Sequence, residues 1–244
     1  MWVHFANGGC HGYSIKKARS ISRSIRYLWA VPFQINYLDT FSPAIQIELN
    51  NASSVLGQYN ISPFDIINLC GGVPAPDITS IYVQLHATYA SALSVRIVTD
   101  QYEVTRRMDF SIGRINNDFM LVHQRGHGLG TNLFLTQVQT ARQFHFRQLH
   151  VNAIAPDDEL DWTGYYFWAE LGYENKDVEE YQAWATERGR TEPTLSELVQ
   201  SDSGRQLWRH EGFAWIGNFY LTDEHPCMTY LRRHLERKGI DFVL

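Results

Sequence analysis

The chain has 244 residues, of which 44% are hydrophobic, 14% aromatic and 19% charged, with 21 basic against 26 acidic residues and a net charge of −5. That composition is too aromatic and too sparsely charged for a disordered chain, and its acidic balance opposes a phosphate-tracking surface, so no nucleic-acid partner is expected. No apolar run approaches the roughly 18 residues of a membrane span, and Met1 to Gly9 lacks the basic flank and apolar run of a signal peptide, so the expectation is a soluble, cytoplasmic protein with no membrane partner.

Ile15 to Trp29 reads as an amphipathic helix, with Ile15, Ala18, Ile21, Ile25 and Leu28 at steps of three and four. Ile45 to Leu49 alternates as a short strand ended by Asn50-Asn51, and Gly71 to Pro76 is a strong break, a seam between an N-terminal portion and the rest. A strand-rich stretch follows: Ile81, Val83 and Leu85 alternate, as do Val95 and Ile97, and Val104 to Ile112 is a third strand with one wet face. Gly113 to Asp118 has the composition of a turn, and the apolar Phe119-Met120-Leu121-Val122 fits a strand buried on both faces.

After it come Gln124-Arg125-Gly126-His127-Gly128-Leu129-Gly130 and a helix to about Phe144, whose buried stripe is Leu129, Leu133, Phe134, Val138 and Ala141. Leu149 to Ile154 is the next strand, and Thr163 caps a helix that stops at Gly172. Thr194-Leu195-Ser196-Glu197 is a capping box, Phe213 to Leu221 a strand, and Pro226 to Lys238 a basic helix closed by Gly239. Its arginines, like the cluster Lys16 to Arg26, read as a solvated helix face.

The three cysteines, Cys10, Cys70 and Cys227, are odd in number and share no C-x-x-C spacing, which argues against a disulfide framework and a four-cysteine zinc site. His4/His11 and His145/His150 lack the i, i+4 spacing and partner carboxylates of a zinc site, so no metal is expected. His145 and His150 read as satisfied core histidines. No G-x-S-x-G elbow points to a serine hydrolase.

A glycine-rich turn between a strand and a helix gathers backbone N–H groups and the positive helix end at one point, which suits phosphate or pyrophosphate. No lysine follows Gly130, as a P-loop requires, and the spacing G-x-G-x-G is not the dinucleotide G-x-G-x-x-G. Arg125-Gly126-His127-Gly128-Leu129-Gly130 does match R-x-x-G-x-G, and it resembles the pyrophosphate loop of the GNAT superfamily of N-acyltransferases. Gly164-Tyr165-Tyr166-Phe167-Trp168-Ala169-Glu170-Leu171-Gly172-Tyr173, about forty residues on, resembles that family's next helix. The resemblance covers roughly residues 80–173.

The resemblance implies an α/β (α+β) fold: a mixed, mostly antiparallel central sheet flanked by helices. It implies one elaborated domain, with a core at about 79–173 and flanks at 1–75 and 174–244. The co-substrate would be acetyl-CoA or another acyl-CoA, and the acceptor a small-molecule or peptide amine. Backbone groups of Leu121, Val122 and His123 would hold the pantetheine arm. Arg125, Gly126, His127, Gly128, Leu129, Gly130 and Thr131 would hold the pyrophosphate. The family's acid tyrosine falls on Trp168, which cannot supply a proton, so Tyr165 and Tyr166 are the candidate acids. Candidate bases are Glu103, Asp109 and His123, with His150 as a further option. The Trp168 departure keeps open a CoA-binding or interaction module without transfer activity, and a nucleotide-phosphate binder would use the same turn.

Overall fold

The computed structural model describes residues 3–5, 44–73, 80–123, 127–154 and 164–241. The helix expected at Ile15 to Trp29 lies outside them, as do Cys10 and the cap at Thr163. Two compact units emerge: residues 1–113 with 118–144, and residues 114–117 with 145–242. No described helix is long and apolar enough to cross a membrane.

The first unit is a sheet in the order β1 (Val3–Phe5), β2 (Ala44–Asn50), β3 (Ser80–Tyr89), β4 (Ala92–Thr99), β5 (Tyr102–Asp109), β6 (Arg114–Val122). β1–β2 and β2–β3 run parallel, while β3–β4 and β4–β5 are antiparallel. The alternation read from the sequence sets the core: Ile81, Val83 and Leu85 of β3 and Val95 and Ile97 of β4 are fully buried. Between β2 and β3 lie α1 (Ser53–Gln58) and α2 (Pro63–Leu69). A reciprocal box starts α2, since Ser62 Oγ accepts from the Asp65 amide and Asp65 accepts from the Ser62 amide.

The Gly71–Pro76 break does not detach the residues before it. β2 pairs with β3 across it, and α2 packs on α3 (Leu129–Gln143), where the Gln137 amide donates to the Leu69 carbonyl. The Tyr102 hydroxyl also donates to the Gly72 carbonyl at 2.6 Å in a buried setting. Tyr102→Phe strands that carbonyl and is expected to destabilise the protein by about 1–3 kcal/mol, read as a lower urea midpoint.

Two expectations in this stretch are corrected. Residues 113–118 are not a turn: the chain reverses at 110–113, and Arg114 onward is strand β6. The asparagines there take partners that outweigh their turn preference. Asn116 and Asn117 are buried, and Asn117 donates to the Tyr173 hydroxyl at 2.9 Å. Nor are Phe119 to Val122 buried on both faces, because Leu121 is 39% exposed and its three neighbours are half-buried.

In the second unit the sheet order is β6, β7 (Gln148–Ala153), β9 (Trp215–Tyr220), β8 (Glu174–Asn175). β6 pairs with β7 in parallel over Arg114–Asn117, and β9 is antiparallel to both β7 and β8. Among the described residues, five helices belong here: α4 (Gly164–Glu170), α5 (Val178–Glu187), α6 (Leu195–Leu198), α7 (Asp202–Glu211) and α8 (Pro226–Arg237). The protein is therefore mixed α/β with a mostly antiparallel sheet. An aromatic core holds this unit: Trp208 stacks edge-on against Trp184 and Phe213, and the Trp208 and Trp215 indoles both donate to the Tyr165 carbonyl. On α8, Leu231, His234 and Leu235 are buried while Arg233, Arg237 and Lys238 face outward, as the basic pattern implied.

Candidate functional site

In the first unit, β6 ends in the half-exposed Leu121 and Val122, and α3 begins seven residues after β6 ends. Arg125 and Gly126 lie outside the described residues. Gly128 is the N-cap of α3 at φ 75°, ψ 0°, a left-handed conformation that a side chain disfavours. A Cβ there would meet nothing within 4 Å, so glycine serves the backbone angle and leaves the approach open.

Gly128 has no side chain with which to cap this helix start, and no capping side-chain bond is present among the described residues. The first helical bond runs from the Asn132 amide to the Gly128 carbonyl. The amides of Leu129, Gly130 and Thr131 precede that bond and are the orphan donors of a fifteen-residue helix. Leu129 is buried and anchors the turn, whereas Gly130 and Thr131 are half-buried and His127 is exposed. Orphan donors at the positive end of a helix can bind an anion without any charged side chain.

The three candidate bases sit differently. His123 is exposed just past β6; its backbone amide donates to the Gln101 carbonyl, and its Nδ1 lies 3.0 Å from the Asp100 carbonyl. A carbonyl only accepts, so Nδ1 carries the proton and the neutral ring presents its lone pair on Nε2. Glu103 is near the same end of β5, but Arg96 holds it at 2.8 Å. Asp109 is at the opposite end of β5, six residues or about 20 Å from Glu103. There it accepts from the Ser111 amide and hydroxyl and shapes the turn into β6. The structure thus gathers His123 and Glu103 at the Gln101 end of the sheet and leaves Asp109 far from them.

The tyrosines belong to the second unit. Tyr165 is buried, and its hydroxyl donates to the Arg209 carbonyl. With its own carbonyl gripped by two indoles, it is a packing residue. Trp168 is also buried, edge-on to Phe167 and Tyr173. Tyr166 is half-buried and hydrogen-bonded to Glu170, with the Arg209 guanidinium 5.4 Å from its ring centroid. Burial first, then the Glu170 carboxylate, pushes its hydroxyl up to about 12, so it holds its proton at neutral pH.

His145 and His150 depart from the core reading. His145 is exposed at φ 58°, while His150 is half-buried with Nδ1 2.9 Å from the Asn218 side-chain oxygen. The Tyr166 surroundings, Glu170 on the next helical turn and Arg209 on α7, were missed in the sequence. The i, i+4 spacing of Tyr166 and Glu170 was available as a signal; the approach of α7 was not. Gly172, which closes the second signature, has φ 94°, and a Cβ on it would lie 2.8 Å from the Cys227 carbonyl. No protein-family model matches the chain, and no curated protein matches it.

Proposed function

We propose that the protein is an acyl-CoA-dependent N-acyltransferase of GNAT-like fold, using acetyl-CoA to acylate a small-molecule or peptide amine. The observation that carries this reading is the uncapped start of α3 behind Gly128, a few residues from a strand end whose apolar side chains are half-exposed. An extended ligand with an amide-bearing arm and a diphosphate matches that sequence of surfaces: strand backbone for the arm, helix amides for the diphosphate. The order strand, glycine turn, helix, strand is also the one the resemblance implies.

In this reading the neutral amine attacks the thioester carbonyl carbon, a C–N bond forms and the oxygen gains negative charge. Backbone amides near the end of β6 stabilise that oxyanion. The ammonium proton passes to His123 Nε2, the C–S bond breaks, and the leaving thiolate takes a proton from water. His123→Gln is expected to slow transfer roughly a hundredfold, the low end of general acid–base contributions, with acetyl-CoA affinity unchanged. An unchanged rate removes His123 from this role.

A second reading is a CoA-binding module without transfer. The engaged Tyr165 hydroxyl and the buried Trp168 at the family's acid position favour it. Release of free thiol from acetyl-CoA in the presence of a panel of amines separates the two. Amine-dependent thiol release supports the enzyme, and CoA binding with no release for any amine supports the module.

A further inference from the structure

Three potential ligand atoms converge in the second unit. Glu174 of β8, His225 and Cys227 each offer one, and the three lie within 4.8 Å of one another. The convergence is a product of the fold. Glu174 pairs with Asn218 of β9. Met228 and α8 then follow the reversal after β9, with His225 as N-cap and Cys227 in the first helical turn.

The hydrogen bonding at this point is frustrated. His225 Nδ1 lies 3.8 Å from Glu174 Oε1, and the same nitrogen accepts from the Cys227 amide at a long 3.4 Å. A proton on Nδ1 answers the carboxylate but turns away the amide. Without that proton, two lone-pair atoms face each other. A cation answers Glu174 and His225 together, and the sulfur completes a third side.

The alternative, a Cys-His-Glu nucleophilic relay, fits poorly. A relay uses both ring nitrogens, one toward the thiol and one toward the carboxylate. Here Nδ1 alone faces the carboxylate and the Cys227 amide. The thiol is fully buried, donates weakly to the Asn218 carbonyl at 3.9 Å and is also hydrogen-bonded by backbone groups of Tyr220 and Glu174. Burial also pushes that thiol up to about 12, against the thiolate a nucleophile needs.

We infer that Glu174, His225 and Cys227 form a three-ligand site for a borderline divalent transition metal, zinc(II) in the first instance. Sulfur with imidazole and carboxylate selects zinc or cobalt over the hard cations magnesium and calcium. The His225 and Glu174 side chains are 27% and 32% exposed, which leaves a solvent-facing fourth position for water. On binding, the Sγ–H bond is replaced by an Sγ–metal bond and the thiol proton leaves to the buffer. The expectation of no metal weighed histidine pairs close in sequence and an all-cysteine set, whereas this mixed trio runs from 174 to 227.

The test is a titration of the metal-free full chain with cobalt(II), followed by displacement with zinc(II). One equivalent of cobalt is expected to give a thiolate-to-cobalt charge-transfer absorption, abolished by zinc and unaffected by magnesium. Cys227→Ser should remove that absorption. His225→Asn, which retains a capping side chain, and the near-isosteric Glu174→Gln should each weaken cobalt binding at least tenfold. A wild-type protein without the absorption overturns the site, and so does an absorption that survives Cys227→Ser.

Discussion

Gly128→Asp is expected to abolish acetyl-CoA binding while leaving the protein folded. Gly128 sits in the left-handed region at φ 75°, where a side chain costs about 1–2 kcal/mol, least for aspartate and asparagine. Space is no obstacle, since a Cβ there meets nothing within 4 Å. Aspartate is moreover a favourable N-cap, which offsets part of the strain. What remains is a negative charge at the orphan amides of Leu129, Gly130 and Thr131, where the diphosphate would lie. Gly128→Asn separates charge from bulk: it has the same shape, tolerates the same backbone angle and carries no charge. Calorimetry should show weakened binding for asparagine and none for aspartate, with both variants melting near the wild type. Equal retention of binding by the two variants would remove this turn as the diphosphate site.

The second large effect concerns stability and pH. His234 on α8 is 2% exposed, and neither ring nitrogen has a hydrogen-bond partner. Burial, with the nearby cations Arg237, Lys238 and Arg205, pulls its pKa from 6.5 down to about 4. A histidine depressed in the folded state binds its proton more readily when unfolded. Its contribution is therefore full above pH 6.5 and is lost as pH falls toward 4, by about 3 kcal/mol in total and about 2 kcal/mol at pH 5. Other groups titrate in the same window, so the comparison is with His234→Leu, which cannot take up the proton. Urea unfolding at pH 7 and pH 5 should show a drop for the wild type about 2 kcal/mol larger than for the variant. Parallel drops would show that His234 is not the group responsible.

Local signals carried much of the fold. The apolar stripe Leu129, Leu133, Phe134, Val138, Ala141 is buried residue for residue along α3, because a 3.6-residue period fixes one face whatever packs on it. The alternation in β3 and β4 held for the same reason at period two. Where a residue's fate depends on a distant partner, the local signal misled. Asn116 and Asn117 carry turn chemistry, yet Asn117 is a strand residue bonded to Tyr173, fifty-six positions away. Phe119 to Val122 has the composition of a buried strand and is half open. Other features were readable and were passed over: Ser62-Pro63-Phe64-Asp65 is a capping box with proline at the first helical position, and Ser201 caps α7.

The site divides along the same line. The glycine turn before a helix is visible in the sequence because backbone amides need no particular side chain, only glycine and a helix start. The acid and base are not, because their roles rest on hydrogen bonds across elements. Asp109 and Glu103 look equivalent in sequence. The pairing of β5 puts one at the turn and the other against Arg96. Tyr165 and Tyr166 are adjacent, and only the packing of α7 shows that the first hydroxyl is committed to a carbonyl, while the second is held by Glu170 on its own helix.

The central claim, that the turn behind β6 holds an acyl-CoA, is tested most directly by calorimetric titration of the purified protein with acetyl-CoA and, separately, with ATP. The account predicts saturable one-to-one binding of acetyl-CoA and much weaker binding of ATP. No heat of binding for acetyl-CoA at millimolar concentration, or tighter binding of ATP, would contradict it.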